Sequence, residues 1–187
     1  IGMAFNVSTG AVSGTPSGPL AITTFTVTAT DAIGTTSSKT FTLTVNGPLT
    51  TTQAIPARIG TNGTAIPSFI PVTAAGGTAP ITLAVTPLAT LTGVGMAFNT
   101  STGAVTGTPT GTLAITTFTV TATDNVGATS AKTFTLTVNA TLTTTAAVPA
   151  QVGDNGTAIP SFIPVTAAGR TAPITFAVTP LATLTGI

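Results

Sequence analysis

The feature that most limits what this chain can fold into is its repetition. Met3-Ala4-Phe5-Asn6 returns as Met96-Ala97-Phe98-Asn99, and the register then holds without a gap at a period of 93 residues. Of the 93 aligned positions in the first two periods only 18 differ, several by Val/Ile or Ser/Thr exchange. A unit of this length and near-identity implies one small fold copied in tandem, each copy carrying its own core.

The period and the domain are expected to be out of phase. Two periods fill 186 residues, and Ile187 stands at the position of Ile1 and Val94. Strand-like Phe41-Thr42-Leu43-Thr44-Val45, however, ends at Asn46-Gly47-Pro48, and its copy ends at Asn139-Ala140-Thr141. Gly and Pro there punctuate strands, which sets the expected division. Residues 1–47 form the C-terminal half of one repeat, 48–140 a complete repeat, and 141–187 the N-terminal half of the next. An isolated half-domain exposes its inner face. Each half is therefore expected to be completed by a neighbouring segment, whether the chain continues or separate subunits supply it. The short, partly Pro-stiffened connections between repeats predict a semi-rigid rod.

The local pattern is that of β-structure. Phe118, Val120 and Ala122 alternate with Thr117, Thr119, Thr121 and Thr123, and Phe134, Leu136 and Val138 alternate with Thr133, Thr135 and Thr137. Successive side chains of a strand point to opposite faces, so each run has one apolar and one hydroxyl face. Asp124-Asn125-Val126-Gly127 between them is turn chemistry and makes the pair a hairpin. Its core is Phe118, Val120, Phe134 and Leu136, and that of its copy one period earlier is Phe25, Val27, Phe41 and Leu43. Further strands are expected near 68–74, 81–86, 95–98 and 103–106, with a turn at Asn99-Thr100-Ser101-Thr102-Gly103. No helix-period segment of useful length appears, and Pro and Gly recur too often to allow one. Roughly seven short strands in about 90 residues fit an all-β fold of tandem immunoglobulin-like β-sandwich repeats.

At these residues the chain resembles the immunoglobulin-like repeats of large bacterial and archaeal surface proteins. The run from Gly95-Met96-Ala97-Phe98-Asn99 through Ser101-Thr102-Gly103-Ala104-Val105-Thr106-Gly107-Thr108-Pro109 is similar to that family's signature. Phe118–Asp124 and Phe134–Val138 resemble its closing hairpin. The resemblance implies an extracellular or cell-surface location and use as an array module, an adhesin stalk or an appendage of a secreted enzyme. Family members often carry Tyr or Trp after Gly-Gly-Thr-x-Pro, where this chain has Ile81 and Leu83, then Ile174 and Phe176 in the next copy. That departure, with no Trp or Tyr anywhere, argues against a sugar-binding module.

The composition leaves little room for chemistry. Charged residues make up 4% of the chain, against roughly 25% in an ordinary soluble domain. They are Asp31, Asp124, Asp154, Lys39, Lys132, Arg58 and Arg170, a net charge of +1. Four basic residues cannot make a phosphate-neutralising stripe, so nucleic acid is not an expected partner. Thr or Ser interrupts every apolar run, so no membrane insertion is expected from these residues. With no His, Cys, Glu or Tyr, general acid–base work would fall on Asp and Lys alone, and no enzyme, cofactor or metal site is expected. Ca²⁺ prefers several carboxylates. Asp154-Asn155, which replaces Thr61-Asn62 of the preceding copy, therefore reads as a turn. Asp124 and Lys132 recur as Asp31 and Lys39, and are expected to form a surface ion pair. A Lys–Asn isopeptide crosslink is the sharper alternative.

The Thr faces read as solvent-facing β surface hydrated without charge; ice binding is the specialised alternative. Five candidate N-glycosylation sequons, at Asn6, Asn62, Asn99, Asn139 and Asn155, offer glycans as another route to solubility. A nearly uncharged surface otherwise favours association. The expected function is a non-enzymatic structural repeat of an extracellular fibre, sheath or filament whose partners are copies of itself. The alternative is the stalk or spacer of a giant cell-surface adhesin or surface enzyme.

Overall fold

The computed structural model describes residues 2–148, 150–169 and 173–185. The chain is all-β. In order, its elements are β1 (Met3–Phe5), β2 (Val12–Gly14), β3 (Leu20–Thr30), β4 (Thr36–Val45), β5 (Thr50–Gln53), β6 (Ala57–Thr61), β7 (Ile66–Phe69), β8 (Val72–Ala75) and β9 (Thr82–Thr86). A short helix α1 (Leu88–Gly93) follows, then β10 (Met96–Phe98), β11 (Val105–Gly107), β12 (Leu113–Thr123), β13 (Thr129–Asn139), β14 (Thr143–Ala146), β15 (Val165–Ala168) and a last turn of helix α2 (Leu181–Thr185).

The strands β5 to β13 build one sandwich. One layer is a four-stranded sheet in the order β6-β13-β12-β9. Its β12–β13 and β12–β9 pairs are antiparallel, and β13–β6 is parallel. The facing layer consists of the three-stranded sheet β10-β11-β7 and the pair β5-β8. The alternation in β12 and β13 sends Phe118, Val120, Ala122, Phe134, Leu136 and Val138 inward, all buried. Phe118 stands opposite Phe134 in the register, with ring centroids 5.3 Å apart and nearly parallel. Phe69 of β7 meets Phe134 edge-on at 6.0 Å and ties the two layers together. Thr faces the other way, in cross-strand ranks such as Thr86–Thr119–Thr133.

Two local expectations are corrected. The strand expected at 68–74 is two strands in different sheets, β7 on β11 and β8 on β5. Pro71 separates them: it has no N–H for a ladder, and its carbonyl accepts from Ala54 and Ile55 instead. The second correction is α1, where no helix was expected. It is under two turns long, and Leu91 is its one fully buried side chain, too little to leave a helical period in the sequence.

Candidate functional site

Among the described residues, one sandwich layer carries no second layer over it. The segment β1–β4 repeats β10–β13 strand for strand. Met3↔Gly14 reproduces Met96↔Gly107, and Phe25↔Phe41 reproduces Phe118↔Phe134. Phe25 and Phe41 stack at 5.3 Å like their counterparts. Yet Phe118 is 0% exposed and Phe25 is 36% exposed. Val27, Phe41 and Leu43, the other hairpin core residues, are half-buried. The difference is the layer on top. In the central sandwich β5–β9 and α1 cover this face, whereas over β3–β4 the same face lines an open apolar groove of about 320 Å³ with Phe5 and Val12 at its side.

The segment after β13 is the converse. β14–β15 pair in the register of β5–β8, Thr143↔Ala168 matching Thr50↔Ala75, and α2 matches α1 in sequence. Residues 150–154, 159–162 and 175–179, however, carry no strand, although they repeat β6, β7 and β9. The reason is connectivity. β5 and β8 pair with each other, while β6, β7 and β9 find their partners in β13, β11 and β12. The described residues hold no such partners for this segment, and strands of this kind do not stand alone. Its apolar side chains stay outside: Phe162 is 43% exposed where Phe69 is 5%, and Val178 is 50% where Val85 is 5%.

Within the central sandwich the two halves are locked by polar contacts as well as by the core. The Asp124 carboxylate accepts from Val126 N–H at 3.1 Å and Ala128 N–H at 2.8 Å, which shapes the hairpin turn. It also accepts from Thr78 N–H at 2.9 Å, forty-six residues upstream. The Thr78 N–H, opposed by partial desolvation and aided by Ala128 and Val126, holds the Asp124 carboxyl below its ordinary value near 3.8. Asp31 makes the same turn with Ile33 and Thr35 N–H. Its carboxyl is likewise lowered, first by Thr35. The expected Asp124–Lys132 ion pair is not formed. Asp124 is committed to three backbone N–H groups, and Lys132 lies opposite Val120 in the ladder.

The connection between the first two repeats is held rather than loose. Gly77 N–H donates to Gly47 O at 2.8 Å, and Asn46 Nδ2 donates to Thr78 Oγ1 at 3.1 Å. Gly76, at φ +73°, lets the backbone pass against the Pro48 carbonyl, an approach and a conformation that a Cβ opposes. Arg58 was not singled out by sequence for any site. Its guanidinium lies 5.5 Å from the centre of the Phe69 ring.

The sequon asparagines fall into two groups. Asn6 and Asn99 are exposed heads of equivalent turns, their side-chain oxygens accepting from Ser8 and Thr9 N–H and from Ser101 and Thr102 N–H at 2.9–3.0 Å. Asn155 is exposed in a turn where Thr157 N–H donates to the Asp154 carbonyl. Asn62 and Asn139 are half-buried, with Asn62 N–H donating to Asn139 O at 2.8 Å. Ile81 and Leu83 line a shallow groove of about 230 Å³ with Ile70 and Val72. Among the described residues no three His, Cys, Asp or Glu come together, and no helix is long and apolar enough to cross a membrane.

The family model described as "Putative Ig domain" matches residues 1–46 and 48–139. No curated protein matches the chain.

Proposed function

Because the chain belongs to the family described as "Putative Ig domain", a source of structural and adhesion-type domains in surface proteins that are generally non-catalytic, we propose that it is a structural repeat of an extracellular fibre, sheath or filament. The observation that carries this reading is the repetition itself: successive 93-residue periods differ at only 18 positions, and β1–β4 reproduce the pairing of β10–β13 strand for strand. A near-identical module repeated in tandem serves length and regular spacing, as a fibre or sheath requires. The Thr-faced sheets suit that role, since they hydrate a surface without the charge that would hold neighbours apart.

Electron microscopy of the native cell surface, with antibody against this repeat, tests the proposal. Labelled structures with regular helical or lateral order support a fibre or sheath. Isolated flexible threads ending in a separate globular head would replace it with the stalk of an adhesin or surface enzyme.

A further inference from the structure

We infer that Asn99, with its copy Asn6, is the N-glycan acceptor of each repeat, and that the attached sugar lies over the apolar groove beside its turn. This goes beyond the structural-repeat reading and takes from it only that the chain is exported.

The five sequons occupy three positions of the 93-residue period: Asn6 with Asn99, Asn62 with Asn155, and Asn139. The complete sandwich separates them. Asn62 is half-buried, and its own N–H and that of Gly63 are held by the Asn139 and Pro109 carbonyls, both at 2.8 Å. Asn139 is half-buried at the end of β13, and its copy Asn46 is followed by Gly47-Pro48, which is no sequon. Asn99 is exposed. It heads a turn closed by Asn99 N–H on the Ala104 carbonyl at 2.9 Å and Gly103 N–H on the Asn99 carbonyl at 2.8 Å. Its Oδ1 accepts from Ser101 and Thr102 N–H, each at 2.9 Å. Two donors fix the oxygen toward the turn and leave Nδ2 directed off it. Among the described residues that Nδ2 has no hydrogen-bond partner. Asn6 repeats these bonds with Ala11, Gly10, Ser8 and Thr9. Val7 stands for Thr100, at the sequon position that takes any residue but Pro.

The donor is an oligosaccharide carried on a polyprenyl diphosphate, delivered by a transferase of the exporting membrane. Nδ2 bonds to the anomeric carbon, the bond from that carbon to the diphosphate oxygen breaks, the diphosphate leaves with its electron pair, and the amide gives up one proton. The groove is the second observation. Gly103 sits down on it, since a Cβ there would stand 3.1 Å from Leu83 Cδ1. Ile70, Val72, Ile81 and Leu83 line this opening of about 230 Å³, with Ser101 and Thr102 at its margin. Ile70 is 39% exposed there. An open apolar patch lowers solubility most on a surface with almost no charge. A sugar tethered beside the groove needs little affinity to cover it, because the link keeps it at high effective concentration. That suits a groove with no aromatic platform.

The 187-residue chain, secreted from a cell with an N-glycosylation pathway, is mapped by glycopeptide mass spectrometry beside two variants, Asn99→Gln and Ser101→Ala. The parent should carry sugar at Asn99 and Asn6 in preference to Asn62 and Asn139. Each variant should lose one glycan mass at position 99 and keep the sugar at Asn6. Ser101→Ala keeps the Asn99 amide and the backbone N–H groups that hold it, so its loss reports the sequon and not a broken turn. In the parent, nuclear Overhauser contacts should run from sugar protons to the Ile70 and Ile81 methyl groups, and they should vanish in Ser101→Ala. A bare Asn99 overturns the acceptor assignment, whichever other sequons are filled. A sugar at Asn99 without those contacts overturns its seating on the groove. Neither result touches the structural-repeat reading, which native microscopy decides separately.

Discussion

Replacing Phe118 by alanine removes the ring at the centre of the complete sandwich. The side chain is 0% exposed and stacks 5.3 Å from Phe134, so the loss combines transfer of a large apolar group with the cavity it leaves. Phe→Ala changes of this kind cost ~3–5 kcal/mol, a large part of the ~5–15 kcal/mol by which a domain is stable at all. For a domain of this size each kcal/mol moves Tm by ~4–8 °C, so the transition should fall by at least ~12 °C. Phe25→Ala supplies the control, because residues 21–30 and 114–123 are identical in sequence and differ in what covers them. Phe25 is already 36% exposed, and its loss should leave the main transition in place, shifting it by less than about 1 kcal/mol. The assay is scanning calorimetry with far-UV circular dichroism. With no Trp or Tyr, intrinsic fluorescence is a poor probe. Near-native melting of Phe118→Ala would refute the assignment of the inner face. An equal fall from Phe25→Ala would refute the claim that the covering layer makes the difference.

Asp124 gives the complete sandwich a defined acid dependence. Its folded carboxyl lies below the ordinary value near 3.8, so the unfolded chain binds the proton more readily. The contribution of Asp124 is complete above that ordinary value and is lost as pH falls through the lower folded value. Asp124→Asn should flatten the dependence of Tm on pH below 4, and an unchanged slope would remove Asp124 from the lock. Gly76→Ala should lower stability by ~1–2 kcal/mol from its positive φ alone, and should also loosen the connection. Faster amide exchange at Gly77 in that variant checks the second effect. Produced in a host that attaches N-glycans, the chain should carry sugar at Asn6 and Asn99, whose amides stand on exposed turns, in preference to half-buried Asn62. Peptide mass mapping reads the occupancy, and heavier use of Asn62 would count against this ranking.

What the sequence disclosed follows from how local the determinants are. The β12–β13 hairpin is legible because each strand alternates over seven residues and its partner lies five residues away across a turn. β6 was not, because it inverts the usual pattern. Arg58 turns inward and lays its guanidinium on Phe69, while Ile59 is 57% exposed. The parallel partner of β6 also lies some 78 residues on, beyond any local signal. The break at Pro71 was readable as a proline, but not as a change of sheet, since that depends on where β5 and β11 lie. The turn role of Asp124 is legible in the sequence, and its commitment to backbone N–H groups in place of Lys132 is not. Two of its three hydrogen bonds are to its own turn, and the third, to Thr78, is set by the tertiary fold.

The same distinction between local and distant pairing explains which strands each half of a repeat forms by itself. β3–β4 and β14–β15 each close on a neighbour within their own half, so they form without help. The counterparts of β6, β7 and β9 pay the entropy of ordering only when a distant partner rewards it.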